Sequence, residues 1–278
     1  MPKAKGGGVE IEYQTFGDPA GEAVLLINGL GSQMTRWPEP FCAKLTARGL
    51  FAIRFDNRDV GLSSWCEGRS YDLDDMAGDA ATVLDAVGKR QAHIVGVSMG
   101  GMIAQTFAAL YPARTLSLTS IMSNTGNPDL PPPNMALLNT RPLDPGDPDF
   151  IADTVARAEA IGSPGFPWPP GALAERARAE ADRAFNPAGV QRQMAAIRAS
   201  GDRRAKLAAL RAPTVVLHGE ADPLVPVAGG RDTAASIPGA ELRVVPGMGH
   251  DLPPALFDTF VDAIWRAVER ARAAAAAT

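Results

Sequence analysis

Seven short apolar runs recur along this 278-residue chain, at 9–13, 24–27, 51–55, 93–97, 116–121, 215–218 and 242–245. Each is too short for an ordinary globular helix. Most of the later ones are unbroken Val, Ile and Leu, not an alternation of apolar with polar residues. Runs of that kind mark strands covered on both faces, as in a parallel sheet with helices on either side. Helical patterns lie between them, at about 39–48, 73–87, 99–110, 229–236 and 255–275. The order strand, helix, strand, helix implies an α/β fold with a doubly wound, mostly parallel sheet.

The alternation stops after Ile121 and resumes near Ala212. The segment between opens with a proline-rich loop at 127–149 and then reads as helices at about 150–161, 171–185 and 189–200. Between the first two lies a stiff stretch, 162–170, carrying Phe166 and Trp168 among its prolines. A helical insertion of this size between two strands is expected to lie as a cap over the sheet's carboxyl edge. The expected organisation is a core at 1–123 and 206–278 with a helical cap, or lid, at 124–205 inserted after the sixth strand. In that cap Arg176, Arg178 and Arg183 interleave with Glu175, Glu180 and Asp182, the pattern of a solvated helix face. The Ala-rich end of the chain is expected to fray.

Composition removes several function classes. The net charge is -4, with 27 Lys and Arg against 31 Asp and Glu, and the positive residues are scattered, so the chain has no electrostatic footprint for nucleic acid. Cys42 and Cys66 are the two cysteines, too few for a disulfide framework and read as reduced thiols of a cytoplasmic protein. His93, His218 and His250 stand far apart in sequence, so no metal site assembles by spacing and no cofactor is expected. Met1 to Gly8 has charge but no apolar stretch behind it, unlike a signal peptide. The stretch 92–113 lacks acids and strong bases, yet Gly96, Gly100, Gly101, Gln105 and Pro112 break it into a strand, a turn and a helix, not a membrane span. The expected partners are a small-molecule substrate, no nucleic acid and no membrane, on a monomer or homodimer.

The sharpest local signal is Gly96-Val97-Ser98-Met99-Gly100, followed by Gly101. An apolar run leads in and a helical run leads out, the strand–turn–helix setting of a nucleophile elbow. Ser98 is then presented at the strand's carboxyl end, where helix N-terminal N–H groups favour negative charge. A serine hydroxyl needs a base. His93 starts the same strand, and at roughly 3.3 Å per residue it lies about 16 Å away, at the wrong end. His218 ends a strand and is expected to pack at the sheet edge. His250, in Gly247-Met248-Gly249-His250-Asp251 just after the last strand, emerges at the same edge as Ser98 and is the best base. Asp222 follows the penultimate strand and is favoured as the acid that orients the base, over Glu220 two residues before it and Asp251 beside the histidine. The order Ser98, Asp222, His250 is the one this architecture uses. The developing oxyanion needs preorganised donors, for which the backbone N–H groups of Met99 and of Leu30, in Asn28-Gly29-Leu30-Gly31, are the candidates. Trp37, Phe166, Trp168, Met122, Met194 and Met248 are candidates for a substrate pocket or for packing. Phe166 and Trp168 are preferred as substrate-binding because their segment is irregular.

These motifs resemble the α/β-hydrolase superfamily over nearly the whole chain. The matching pieces are Asn28-Gly29-Leu30-Gly31, Phe55-Asp56-Asn57-Arg58-Asp59-Val60-Gly61-Leu62-Ser63, the elbow, Asp222-Pro223 and Gly249-His250. The resemblance implies the α/β-hydrolase fold, a serine triad, a two-donor oxyanion hole and a helical cap. Arg58-Asp59-Val60-Gly61 and the stretch from Gly247 to Pro253 look most like the branch containing aclacinomycin methylesterase, which acts on a methyl ester of an anthracycline. Asn28 departs from the histidine that many relatives carry there. The donor at that turn is backbone, so the departure is not expected to abolish catalysis. The segment from Asp56 to Ser63 is read as a structural brace. The resulting expectation is a serine carboxylesterase working through an acyl-enzyme, on a methyl ester of a bulky or aromatic acid. A lactonase, a C–C bond hydrolase or a cofactor-free perhydrolase would use the same triad. Ser98 speaks against the relatives that use an Asp nucleophile. A non-catalytic binder on this fold would be expected to lack a triad member.

Overall fold

A computed structural model describes residues 2–137 and 143–277. Each of the seven apolar runs becomes a strand: β2 (Val9–Phe16), β3 (Glu22–Ile27), β4 (Leu50–Phe55), β5 (Ala92–Val97), β6 (Thr115–Ile121), β7 (Thr214–Gly219) and β8 (Glu241–Val245). A further strand, β1 (Lys3–Gly6), forms a hairpin with β2 and was not evident in the sequence. The sheet order is β1-β2-β4-β3-β5-β6-β7-β8. The first two pairings, β1 with β2 and β2 with β4, are antiparallel, and the rest are parallel.

Unbroken apolar strands are explained by burial on both faces. Leu25, Ile27, Ile53, Phe55 and Ile94 enter one core, closed by α2 (Leu73–Ala86) and α3 (Met99–Leu110). Val24, Leu26, Ala52, Val95 and Val97 enter the other, closed by α1 (Glu39–Thr46) and by a helix at the C-terminal end, Phe257–Ala276. Each of the Val, Leu, Ile and Phe side chains among them stabilises the fold by about 1.5–3 kcal/mol through removal from water. The strongly apolar stretch at 92–113 is β5, a turn and α3, as its glycines imply. Among the described residues no helix is long and apolar enough to cross a membrane.

Among the described residues four α-helices run between β6 and β7: α4 (Phe150–Ile161), α5 (Ala172–Arg183), α6 (Pro187–Ser200) and the short α7 (Arg204–Leu207), the last not anticipated. The helix α8 (Ala228–Ser236) then links β7 to β8, and the C-terminal helix is α9. Of the proline-rich loop expected at 127–149, residues 138–142 lie outside the described residues.

The expectation of a solvated face on α5 fails at two of its three arginines. Arg183 turns inward and ion-pairs with the fully buried Asp56 at 2.6 Å. Arg176 faces a cavity, described below. The reason is long-range: Asp56 on the sheet side takes the Arg183 guanidinium and the Trp168 ring takes that of Arg176, and helical spacing cannot reveal either contact. The segment from Asp56 to Ser63 braces this region. Asp56 also accepts the Met34 and Leu62 N–H groups, and Asn57 Nδ2 donates to the Asn28 carbonyl. Arg192 on α6 grips both oxygens of Asp59.

Candidate active site

Ser98 stands between β5 and α3 with φ 57° and ψ -122°. A side-chain-bearing residue at positive φ is strained, by an amount of order 1–3 kcal/mol, and the surroundings must enforce it. They do so by close approach. A Cβ on Gly96 would sit 1.9 Å from the Gly100 carbonyl oxygen, and one on Gly100 would sit 2.2 Å from the Ile27 carbonyl oxygen. Only glycine fits at either position, so the turn closes tightly around Ser98. Its N–H donates to the Ile121 carbonyl at 2.9 Å, and its own carbonyl accepts from Ser123 Oγ at 2.8 Å.

His250 Nε2 lies 3.0 Å from Ser98 Oγ, and His250 Nδ1 lies 2.7 Å from Asp222 Oδ2. With Nδ1–H donating to the carboxylate, Nε2 is left as the acceptor for the serine proton. The other carboxylate oxygen, Oδ1, accepts the N–H groups of Leu224 and Val225 at 2.9 and 2.8 Å. The structure thus brings Ser98, His250 and Asp222 into one line. The rivals lie elsewhere. Glu220 is exposed, and Asp251 accepts hydrogen bonds from Ser163 Oγ and Trp168 Nε1.

His93 is buried at the other end of β5, against Ser117 Oγ at 2.8 Å, and burial pushes its pKa down to about 4. His218 is nearer the site than its strand-end position suggests. Its Nε2 is 2.9 Å from the Val225 carbonyl and 3.6 Å from Asp222 Oδ2. Burial lowers its pKa, favouring the neutral ring. It therefore supports the loop whose N–H groups hold Asp222. The four-residue spacing of His218 and Asp222 was the available signal.

The His250 loop is clasped by the last residue of α4 and the segment that follows it. The His250 N–H donates to the Ile161 carbonyl at 2.7 Å, and the Gly249 N–H donates to Ser163 Oγ at 2.9 Å. A Cβ on Gly249 would meet the Gly162 carbonyl oxygen at 2.2 Å. Sequence reasoning missed this contact because it joins residues far apart in the chain.

Ser98 and His250 open into a cavity of about 550 Å³. Leu30, Met122, Trp168 and Arg176 are among its lining residues. The Met99 N–H begins α3 and the Leu30 N–H lies on the turn opposite. Among the described residues neither donates to a protein acceptor. Gly29 abuts Ser98: an added Cβ would lie 3.2 Å from Ser98 Cβ, so a larger residue would have to displace its neighbour by a few tenths of an ångström. Asn28 is fully buried, and both polar atoms of its side chain lack a hydrogen-bond partner among the described residues.

Of the two aromatic residues expected in the pocket, Trp168 lines it and Phe166 does not. Phe166, like Val245 and Leu252, packs against the apolar cluster of α1 and α9. The turn that carries it is drawn onto the His250 loop by the hydrogen bond from Gly165 N–H to the Gly247 carbonyl, at 2.9 Å. Trp37 and Met248 are fully buried in that same cluster. Cys42 and Cys66 are buried free thiols. Among the described residues no group of three or more His, Cys, Asp or Glu is arranged to hold a metal ion.

Comparison with known proteins identifies the family of the fold. The family model described as alpha/beta hydrolase fold matches residues 22–253. The chain is 31% identical to rhodomycin D methylesterase of Streptomyces peucetius over 281 residues, covering 92% of this chain and 94% of that protein. It is 27% identical to 3-oxoadipate enol-lactonase 2 of Acinetobacter baylyi, covering 93% and 94% of the two chains. Among solved structures, a hydrolase from Pseudomonas aeruginosa PA01 superposes with a TM-score of 0.75 at 27% identity, covering 95% of this chain and 96% of its own.

Proposed function

The chain belongs to the alpha/beta hydrolase family, and on that premise we propose that it cleaves its ester through a covalent acyl-enzyme formed on Ser98. The protein is a carboxylic ester hydrolase, with its resemblance to the methylesterase branch carried by the rhodomycin D methylesterase likeness. The observation that carries the finer reading is the line Ser98 Oγ, His250 Nε2, His250 Nδ1, Asp222 Oδ2, with steps of 3.0 and 2.7 Å, at the edge of the cavity.

His250 takes the Ser98 proton as Oγ attacks the ester carbonyl carbon. Asp222 holds the ring in the required tautomer and stabilises the imidazolium that forms. The carbonyl oxygen, now carrying the negative charge, receives the Met99 and Leu30 N–H groups, which are already in place and need no reorganisation. The imidazolium returns its proton to the departing alkoxide, and the alcohol leaves. Water, deprotonated by the same histidine, then releases the acid and restores Ser98. Residues 124–205 act as the cap that selects the substrate, over the core at 1–123 and 206–278, and Trp168 is its aromatic contact. The substrate is a methyl ester of a bulky or aromatic acid. Lactone opening is a second reading, favoured by the likeness to 3-oxoadipate enol-lactonase 2.

The test is turnover of methyl esters of aromatic acids beside p-nitrophenyl acetate and a lactone, with the parent and Ser98→Ala. The expected result is cleavage of the methyl esters that disappears with the serine. Methyl-ester turnover surviving in Ser98→Ala would refute the acyl-enzyme.

A further inference from the structure

Arg176 is a cation on the cavity wall whose neighbouring carboxylates are already engaged. On α5 its natural partner is Glu180, one helical turn on. Glu180 is held instead by Arg36, whose Nε and Nη2 donate to its two oxygens at 2.8 and 2.9 Å. The other nearby acid, Asp251, accepts Ser163 Oγ on one oxygen and Trp168 Nε1 on the other. Among the described residues no carboxylate lies within ion-pair distance of Arg176. Its guanidinium stacks instead on the Trp168 ring, 4.6 Å from the centroid. The other cavity arginines differ: Arg36 has Glu180, and Arg157 has Asp153. Burial, with Arg36 nearby, brings the Arg176 pKa down to about 10, so the group is still charged at neutral pH.

A partly buried guanidinium costs solvation unless something repays it. A planar fork presented beside an aromatic ring matches a carboxylate, which it holds through two parallel hydrogen bonds. We propose that Arg176 receives a carboxylate carried by the substrate, so that this enzyme's ester bears a second, ionised acid group remote from the scissile bond. This rests on the ester reading above. Trp168 packs against the same group, holding the guanidinium flat on one side, while Ser98 works on the ester carbonyl at the other.

The experiment uses monomethyl esters of linear dicarboxylic acids of rising length, each beside the neutral dimethyl ester of the same acid. The quantity read is the ratio of kcat/KM for the anionic ester to that for the neutral one, in the parent, Arg176→Gln and Arg176→Lys. The expected result is a ratio well above one in the parent at one or more chain lengths. It should fall about 10- to 100-fold in Arg176→Gln, the scale of a charge-assisted hydrogen bond, with part of it kept in Arg176→Lys. A parent ratio at or below one for every length, or a ratio unmoved by Arg176→Gln, overturns the assignment and leaves the ester reading standing. Calorimetric binding of adipate to the same three proteins separates the two ideas. If the parent cleaves neither ester but binds adipate at least tenfold more tightly than Arg176→Gln, the anion site stands, and the ester reading is judged on the aromatic methyl esters alone. If it cleaves neither and binds adipate no better than the variant, the anion site falls.

Discussion

On the sheet side of the cavity, Ser98 sits in a turn closed by glycines whose neighbours leave no space for a Cβ. On the helical side, the wall is joined to the sheet by ion pairs: Arg183 to Asp56, Arg192 to Asp59, and Glu180 to Arg36. The two kinds of attachment tolerate different changes. Backbone in contact with backbone has no freedom to relax, so Gly96 and Gly100 admit no other residue. A wall of side chains can change shape one residue at a time while the turn beneath it stays fixed. Such a division suits a fold that keeps one chemistry and varies its substrates. It is not complete, because the end of α4 and the segment after it also clasp the His250 loop, through Ile161 and Ser163.

The strongest test of this contrast is removal of the reacting groups. Ser98→Ala or His250→Ala is expected to lower kcat by about 10⁴-fold or more, with smaller effects on KM. Replacing His93, at the far end of β5, should produce no such loss. Near-native turnover in His250→Ala would mean that another group is the base.

Next in size is Asp222→Asn, which favours the wrong imidazole tautomer and should lower kcat by up to about 10⁴-fold. Glu220→Gln, on an exposed side chain, should stay close to the parent. The reverse ranking would move the orienting acid.

On the helical side the expected effects are smaller and depend on the substrate. Trp168→Ala should reduce kcat/KM for a bulky aromatic ester relative to p-nitrophenyl acetate by about 10- to 200-fold, the range for a lost pocket contact. An unchanged ratio, with the fold intact by circular dichroism, would make Trp168 a packing residue.

Ser163 probes the point where the two sides meet. Ser163→Ala removes the acceptor for the Gly249 N–H and a donor to Asp251. It should slow kcat about fivefold, the equivalent of one lost hydrogen bond, and by the same factor for small and bulky esters. A loss confined to bulky esters would assign Ser163 to substrate selection and leave the His250 loop self-supporting.

Much of the sheet side was legible in the sequence. Unbroken apolar runs marked the parallel strands, and the bracketing glycines marked Ser98. The positions of Asp222 and His250 at later strand ends followed from strand order alone. What escaped was set by contacts between distant segments. β1 has no apolar run of its own, only Lys-Ala-Lys-Gly before a Gly-Gly turn. The antiparallel pairing of β2 with β4 leaves no local mark. Arg176 and Glu180 have the spacing of a helical ion pair, yet Arg36 takes the glutamate. Phe166 and Trp168 are two residues apart in one proline-rich stretch, and only the second reaches the cavity. In each case, composition and periodicity describe a residue's own element, whereas its partner belongs to another.

The account stands most directly on the activation of Ser98, which labelling with a fluorophosphonate probe measures without any assumption about the natural substrate. Intact mass and peptide mapping should show one adduct per chain, on Ser98. It should be absent from Ser98→Ala and formed far more slowly in His250→Ala, because His250 is the group that takes the serine proton. An adduct that forms at the parent's rate in Ser98→Ala, or that maps to another residue, would contradict the assignment of Ser98 as the nucleophile.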